Sequence, residues 1–500
     1  MSVFSVDPKE NELKVLLMVP PRKRSSVFIR TNYFPPIGLG YLASFALAKA
    51  SQDKFPLRFT ILDSIIEKIR FSDLPRVISQ IRPDIVGVNF YTENRFDAWE
   101  TIQIIKKVYP GIIVVGGGAH ATLATDDTIR NFPGLDIIVR GEGEETFYTL
   151  LKNLVNGANL DEIPGISYKA EGQVYHNPDR PFLKDLDTIP FPVYNLLKMD
   201  RYFGTLDWCR TKEKMGMIIT SRGCPYKCNF CSSAKAWGNR YRVRSPENTI
   251  EEIEHLKKNY HISGFFFFDD TMTIRKTHAL QICRKIIEKK LSIRWITHSR
   301  IDVMDEDLMN VMKKAGCTGI MFGVESGSQR IIDEVIKKKI KIEDVKKISA
   351  LSKKLGMVNN FSYIISHPTE TMAEAELTLE MLKQHLNDNQ TVVLNIMRIY
   401  PGTEVETYAL KHGLLPKDFS WSKKFNLTSN IVARTIKGEV PFFRDTLSWK
   451  QIYDINSRFL KMIKYPVYRH GLEALENIQS LKDIVDLVKV GFSYLRAYFF

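Results

Sequence analysis

The chain is poor in cysteine: six in 500 residues, none of them ahead of Cys209. That scarcity excludes the disulfide-stapled scaffolds, which need many bridges to hold a small core. Histidine is scarce too, at ten, and no two Cys or Cys/His pairs stand at zinc-finger spacing. No apolar run approaches the ~18 uncharged residues of a membrane-spanning helix. Met1 to Glu12 is polar and mixed in charge, so neither a secretory nor a transit leader is expected, and a reducing cytoplasmic setting follows. Internal repeats and low-complexity tracts are missing as well. What remains, 44% hydrophobic and 26% charged residues, is the make-up of an ordinary globular protein, with two to four domains expected at ~150 residues each. The net charge of +14 lies mostly beyond residue 150. Its share in residues 417–500 suits nucleic acid, an anionic membrane surface, an acidic substrate or simply a solvated lysine-rich face.

Three of the cysteines, Cys224, Cys228 and Cys231, crowd into the run Ser-Arg-Gly-Cys-Pro-Tyr-Lys-Cys-Asn-Phe-Cys-Ser-Ser. Thiolates hold iron–sulfur clusters, and a cubane needs one ligand for each of its four irons. Three close cysteines with no fourth in reach leave one iron open to a substrate or cofactor.

Two alternating patterns flank this run. Residues 14–147 contain five short apolar strands: Lys14–Val19, Phe59–Asp63, Ile85–Phe90, Ile112–Val115 and Asp136–Arg140. Helical spacing between them predicts an α/β, doubly wound parallel sheet, whose ligands bind beyond the carboxyl ends of the strands. Candidate loops therefore start at Pro20, Asp63, Asn89, Gly116 and Gly141. No G-x-G-x-x-G follows the first strand, which weakens a dinucleotide reading. Residues 151–212 are irregular and proline-bearing and read as a connector. From Met217 a second alternation offers six strands, at Met217–Thr220, Gly264–Phe268, Arg294–His298, Gly319–Val324, Asn360–Ile365 and Val392–Arg398. Six βα units make a partial TIM-type barrel, with functional groups expected at the C-terminal strand ends. Residues 403–500 read as mostly helical. In the last segment Leu481, Ile484, Val485, Val488 and Phe492 share a face, which suits docking on the barrel better than membrane contact. The expected divisions are 13–150, 151–212, 213–402 and 403–500.

The cysteine run, with Phe230 at the aromatic position of C-x3-C-x-aromatic-C, resembles the cluster motif of the radical S-adenosylmethionine (SAM) superfamily. The loops Pro35-Pro36-Ile-Gly38, Gly116-Gly117-Gly-Ala-His120 and Gly141-Glu142-Gly-Glu resemble those of the cobalamin-binding domain that precedes many radical SAM domains. The resemblance implies a 4Fe–4S cluster on the three cysteines, SAM on the open iron, and cobalamin on the first sheet. It implies SAM contacts at Phe230, Asp269, Asp270, Ser299, Arg300 and Glu325, and cobalamin contacts at Pro36, Gly38, Asp63, Asn89, Gly116, Gly117, His120 and Glu142. Asp269-Asp270 stands where many relatives have Gly-Gly-Glu, and paired carboxylates suit the SAM ammonium. Ser366-His367-Pro368-Thr369 replaces a glycine-rich turn. The cobalt-ligating D-x-H-x-x-G motif is absent, so the resemblance implies cobalamin without a histidine ligand, with His120 making local hydrogen bonds. Cys209, Cys283 and Cys317 read as packed small residues.

The activity so implied is methylation of an unactivated carbon: an adenosyl radical takes hydrogen from the substrate, which receives the methyl of methylcobalamin. The rival within the same architecture is an anaerobic oxidative cyclase of the Mg-protoporphyrin ester type. A tRNA methylthiotransferase would need a second cluster on N-terminal cysteines, which are absent, so no nucleic acid partner is expected. A non-catalytic cobalamin or redox sensor would leave the polar strand ends without a purpose. Tyr465, Tyr468, Arg469, Tyr494 and Tyr498 point to a large, partly apolar substrate such as a tetrapyrrole, polycyclic lipid or isoprenoid. The resemblance also implies an electron donor such as flavodoxin or ferredoxin. The catalytic residues are not legible.

Overall fold

The computed structural model describes residues 12–22, 34–157, 159–202, 214–423 and 440–463, together with Phe4, Val6 and Pro8. Cys209 and the amphipathic segment 481–499 lie outside the described residues, as do Tyr465, Tyr468, Arg469, Tyr494 and Tyr498.

The first apolar alternation folds into a sheet of strands β1 (Leu13–Val19), β2 (Leu57–Asp63), β3 (Ile85–Asn89), β4 (Ile113–Gly117), β5 (Ile137–Val139), β6 (Ile166–Ala170) and β7 (Gln173–His176). Their order is β2-β1-β3-β4-β5-β6-β7, parallel from β2 through β5 and antiparallel beyond. Successive side chains of a strand point to opposite faces, and here both faces are buried. Leu13, Val15 and Leu17 enter one core, Leu16 and Met18 the other. That double burial is why β1 reads as a continuous apolar run. The strand order reverses between β1 and β3, the switch point where open parallel sheets bind ligands.

The expected connector differs from the structure. Ile166–Ala170 and Gln173–His176 form a hairpin that extends the sheet. Its positive-φ Gly172, at +77°, makes the turn. A lone hairpin on a sheet edge lacks the long apolar strand signal of a parallel core, so composition alone hides it.

The second alternation forms β8 (Met215–Ile218), the short antiparallel pair β9 (Ser221–Arg222) and β10 (Arg242–Val243), then β11 (Gly264–Phe267), β12 (Arg294–Ser299), β13 (Cys317–Glu325), β14 (Asn360–Ile365) and β15 (Thr391–Ile396). The six long strands lie side by side in chain order, all parallel. This is the expected partial barrel. Its helices start on side-chain caps: Ser245 Oγ accepts from Asn248 N at 3.1 Å, and Asp305 Oδ1 from Leu308 N at 2.9 Å. Thr371 and Glu374 make a reciprocal capping box. One apolar cluster runs unbroken from Leu13 and Leu17 of the first sheet to Met217, Phe265 and Phe322 of the barrel. Beyond the barrel, described helices span Glu404–Lys411 and Trp449–Met462. Among the described residues no helix is long and apolar enough to cross a membrane.

Candidate active site

β8 runs directly into the cysteine loop, and Asp269 at the end of β11 holds that junction. Its Oδ1 accepts from Thr220 N at 3.1 Å, from Thr220 Oγ1 at 2.9 Å and from Ser221 Oγ. Its Oδ2 is buried and has no partner among the described residues. Burial, opposed by these donors, pushes the carboxyl up to about 6. Gly223 then turns the chain at φ +86°, where an added Cβ would meet Arg240 O at 2.3 Å. Only glycine fits there. Cys224 N donates to Gly238 O at 3.1 Å and Cys231 N to Cys228 O at 3.1 Å, so the loop presents its thiols from a fixed backbone.

All three thiols are free. Burial, with Cys228 and Asp270 nearby, pushes the Cys224 thiol up, and Arg300 opposes this. A multivalent metal centre among them would reverse the balance and hold them as thiolates.

The other strand ends converge on this loop. Asp270 accepts from Ser233 Oγ, two residues past Cys231. Phe230 stands edge-on to His367, ring centroids 6.5 Å apart. Ser299 Oγ pairs with Thr273 Oγ1. Arg300 is committed within the protein: Nε and Nη2 grip Asp302 at 2.9 Å each, and Nη2 also donates to Lys338 O at 2.6 Å. Its guanidinium lies 3.5 Å from the Tyr226 ring centroid, with Nη1 turned to Cys228 Sγ at 3.9 Å. Little of the fork is left for a carboxylate. Glu325 is buried and takes Lys338 Nζ at 2.7 Å. Lys338 was not legible, because it sits in a run of lysines that reads as solvated surface. Left-handed backbone at Lys337 (φ 63°) and Lys339 (φ 59°) turns that one side chain inward.

The turn after β14 keeps a glycine-like backbone without glycine: φ is +69° at Ser366 and +61° at Thr369. A β-branched residue there is strained. Thr369→Gly is expected to raise stability by up to about 1 kcal/mol, seen as a higher urea midpoint. An unchanged or lower midpoint would refute the strain. In the same turn Glu370 Oε2 accepts from His367 N at 3.1 Å and from Ser366 N, while Oε1 is buried without a partner among the described residues. Burial pushes this carboxyl up to about 8. The folded state therefore binds the proton more tightly than the unfolded chain, so its stabilising effect is present below pH 4.5 and lost as pH rises to 8. Unfolding titrations should show stability falling across that window by at most about 1.4 kcal/mol per pH unit. Glu370→Gln should flatten the slope, and a slope that survives it would locate the effect elsewhere.

On the first sheet, Gly117 and Gly38 each have open space where a Cβ would sit, so a bulky flat ligand can approach their backbone. Gly118, at φ +102°, lies against Asn89 Oδ1 and Phe90 O, 2.4 and 2.6 Å from where its Cβ would be. Gly116 packs against Leu135 and Phe90 and contributes shape only. Asn89 ends β3, and Pro36 precedes the helix Ile37–Asp53. Asp63 is buried and folds its own loop, accepting from Ile65 N at 3.1 Å and from Tyr202 OH at 3.2 Å. His120 makes a local bond: its Nδ1 faces Thr92 Oγ1 at 3.1 Å, its ring meets Trp421 edge-on at 6.0 Å, and burial pushes it down to about 3. It is neutral and buried, and its Nε2 has no partner among the described residues.

Glu142 is tied into a buried ion-pair group. Its oxygens take Arg222 Nη1 at 3.2 Å, Arg242 Nη1 at 2.8 and 2.9 Å, and Leu183 N at 2.8 Å. Its partners lie 80 and 100 residues away, a separation that no local pattern reveals.

The description "Radical SAM superfamily" matches residues 218–382 and "B12 binding domain" matches residues 30–151. An uncharacterized methyltransferase of Pyrococcus horikoshii is 37% identical over 411 residues, covering 82% of this chain and 86% of that protein. An anaerobic magnesium-protoporphyrin IX monomethyl ester cyclase of Rubrivivax gelatinosus is 30% identical over 377 residues, covering 74% of this chain and 66% of that protein. The solved structure of the radical S-adenosylmethionine methyltransferase TsrM from Kitasatospora setae, with cobalamin and a [4Fe-4S] cluster bound, shares the fold. Its TM-score is 0.71 at 17% identity, over 97% of this chain and 99% of that one.

Proposed function

Because the chain belongs to the cobalamin-dependent radical SAM enzymes, whose cofactors are a 4Fe–4S cluster, SAM and cobalamin, we propose that it is a methyltransferase acting on an unactivated carbon of a large, partly apolar substrate. The observation that carries this reading is the placement at the barrel mouth of two strand-end carboxylates on the loop that bears three free thiols: Asp270 accepts from Ser233 Oγ, and Asp269 holds the Thr220–Ser221 root while its buried Oδ2 has no partner among the described residues. Cys224, Cys228 and Cys231 would hold the cluster. Asp269 and Asp270 would receive the SAM ammonium, while Glu325, held by Lys338 Nζ at 2.7 Å, would accept from ribose hydroxyls. Gly38 and Gly117 would lie against the corrin. Together the cofactors supply radical generation and a transferable methyl group; the protein positions, orients and keeps water out.

The choice of methyl transfer over cyclisation rests on the relative at 37% identity, which bears a methyltransferase name across 82% of this chain. The apolar substrate rests on the mouth itself. Phe268 is 44% exposed beside Asp269, edge-on to Phe266 at 4.9 Å and to His298 at 5.6 Å. Burial holds His298 down to about 4, so this wall is uncharged at neutral pH. Residues 13–150 would form the corrin-binding unit, with the hairpin Ile166–His176 on the edge of its sheet, and 213–402 the radical SAM core, in a cytoplasmic setting with a flavodoxin- or ferredoxin-type donor. Reconstituted anaerobically with iron, sulfide, cobalamin, SAM and reductant but without substrate, the protein is expected to release S-adenosylhomocysteine up to one equivalent per cobalamin, the methyl going to the reduced corrin, together with 5′-deoxyadenosine. Deoxyadenosine alone would turn the reading to the cyclase, and neither product would overturn it.

A further inference from the structure

We infer that Glu142 and Glu144 are positioning residues that clamp the root of the cysteine loop to the first sheet through Arg222 and Arg242, and so set both the placement and the redox poise of a cluster held there. This rests on the assignment of the cluster to Cys224, Cys228 and Cys231. Arg222 stands two residues before Cys224 and pairs in β9 with Arg242 in β10. Its guanidinium spans both carboxylates, Nη1 to Glu142 Oε1 at 3.2 Å and Nη2 to Glu144 Oε1 at 2.7 Å. Arg242 closes the set on Glu142 at 2.8 Å. No side chain of the four is more than 10% exposed, so solvent and salt screen them little. The rings of Tyr41 and Phe182 sit beside the two guanidiniums, at 5.5 and 5.1 Å.

Glu142 lies in the loop after β5 and Glu144 opens the helix that follows it, at the end of the sheet where its ligand is expected. Gly141 N donates to Thr122 Oγ1 at 3.0 Å, and Thr122 is on the short helix that directly follows Gly116–Gly118. Hydrogen-bonded contacts therefore run from the open glycine backbone to Glu142, to Arg222 and to Gly223–Cys224. Two carboxylates facing two guanidiniums balance within the group, and each half bears oppositely on charge placed at the cysteines. Cluster potentials respond to nearby net charge and hydrogen bonding, and a one-electron reduction is opposed by a carboxylate and favoured by a guanidinium.

That opposition supplies the test. Full-length protein reconstituted with iron and sulfide is titrated with dithionite, and the midpoint is read from the EPR signal of the reduced cluster. The double variant E142Q/E144Q should load iron as the parent does and shift the midpoint positive. R222Q should shift it negative, and R222K, which keeps the charge, should stay near the parent. If R222Q fails to fold, R242Q removes the same sign of charge from Glu142 and takes its place. A loosened interface without an electrostatic role would move both halves in one direction. Shifts of the same sign, or no shift in fully loaded variants, overturn the clamp and leave the cluster assignment standing. Parent protein that loads no iron overturns the cluster assignment, and the clamp with it.

Discussion

Alanine at Cys224, Cys228 and Cys231 together is expected to leave anaerobically reconstituted protein with no bound iron and no reductive cleavage of SAM. The thiols are the side chains of that loop suited to an iron–sulfur cluster, and the two cysteines remaining among the described residues, Cys283 and Cys317, are buried in the barrel core. Cys283 is fully buried on the helix Lys276–Glu288 and Cys317 opens β13, so neither stands in the cysteine loop to replace a lost ligand. The fold should survive the change. None of the three belongs to an apolar core cluster, and the loop is pinned by Asp269 and by Gly238 O rather than by its thiols. The expected cost to the metal-free protein is therefore within about 1 kcal/mol per site. Iron analysis, far-ultraviolet circular dichroism and deoxyadenosine release together check it. A triple variant that kept its iron, or that lost its iron only by unfolding, would remove the basis for the proposed activity.

The largest structural loss is expected from Glu252→Leu, at roughly 3–5 kcal/mol. Glu252 is fully buried on the helix Pro246–Tyr260 and pairs with Arg244. It also accepts from Tyr194 OH at 2.6 Å. Arg244 uses its other donors on Asn248 Oδ1 at 2.7 Å and Ile219 O at 3.0 Å. Removing the carboxylate strands a buried guanidinium and a buried phenol at once, and a buried charge without its partner costs far more than the pair contributes. The double change to Glu252→Leu with Arg244→Met removes both charges and should recover much of the loss, a coupling read from a double-mutant cycle. A chain of this size need not unfold in one step, so the first urea transition is the quantity to compare. A loss below about 1 kcal/mol for Glu252→Leu would show that the pair does not hold the barrel to the segment bearing Tyr194.

Strands and loops were legible because their signals are local. β1 shows itself as an apolar run because both its faces are buried, and the six barrel strands follow from the return of that pattern after each helix. The cysteine loop is legible for the same reason: its three thiols and its aromatic residue lie within eight consecutive residues, Cys224 to Cys231. Partnerships across the chain were not. That Glu142 is tied to Arg222 and Arg242, that Arg300 gives its fork to Asp302, that Lys338 turns inward to Glu325 and that Asp269 keeps one oxygen unpaired all depend on which loops the two sheets bring together. Local periodicity records which face of an element is apolar; it carries no record of which charge it will meet. Those pairings are chosen by the cost of leaving a charge buried alone, and that cost arises only once the chain has packed.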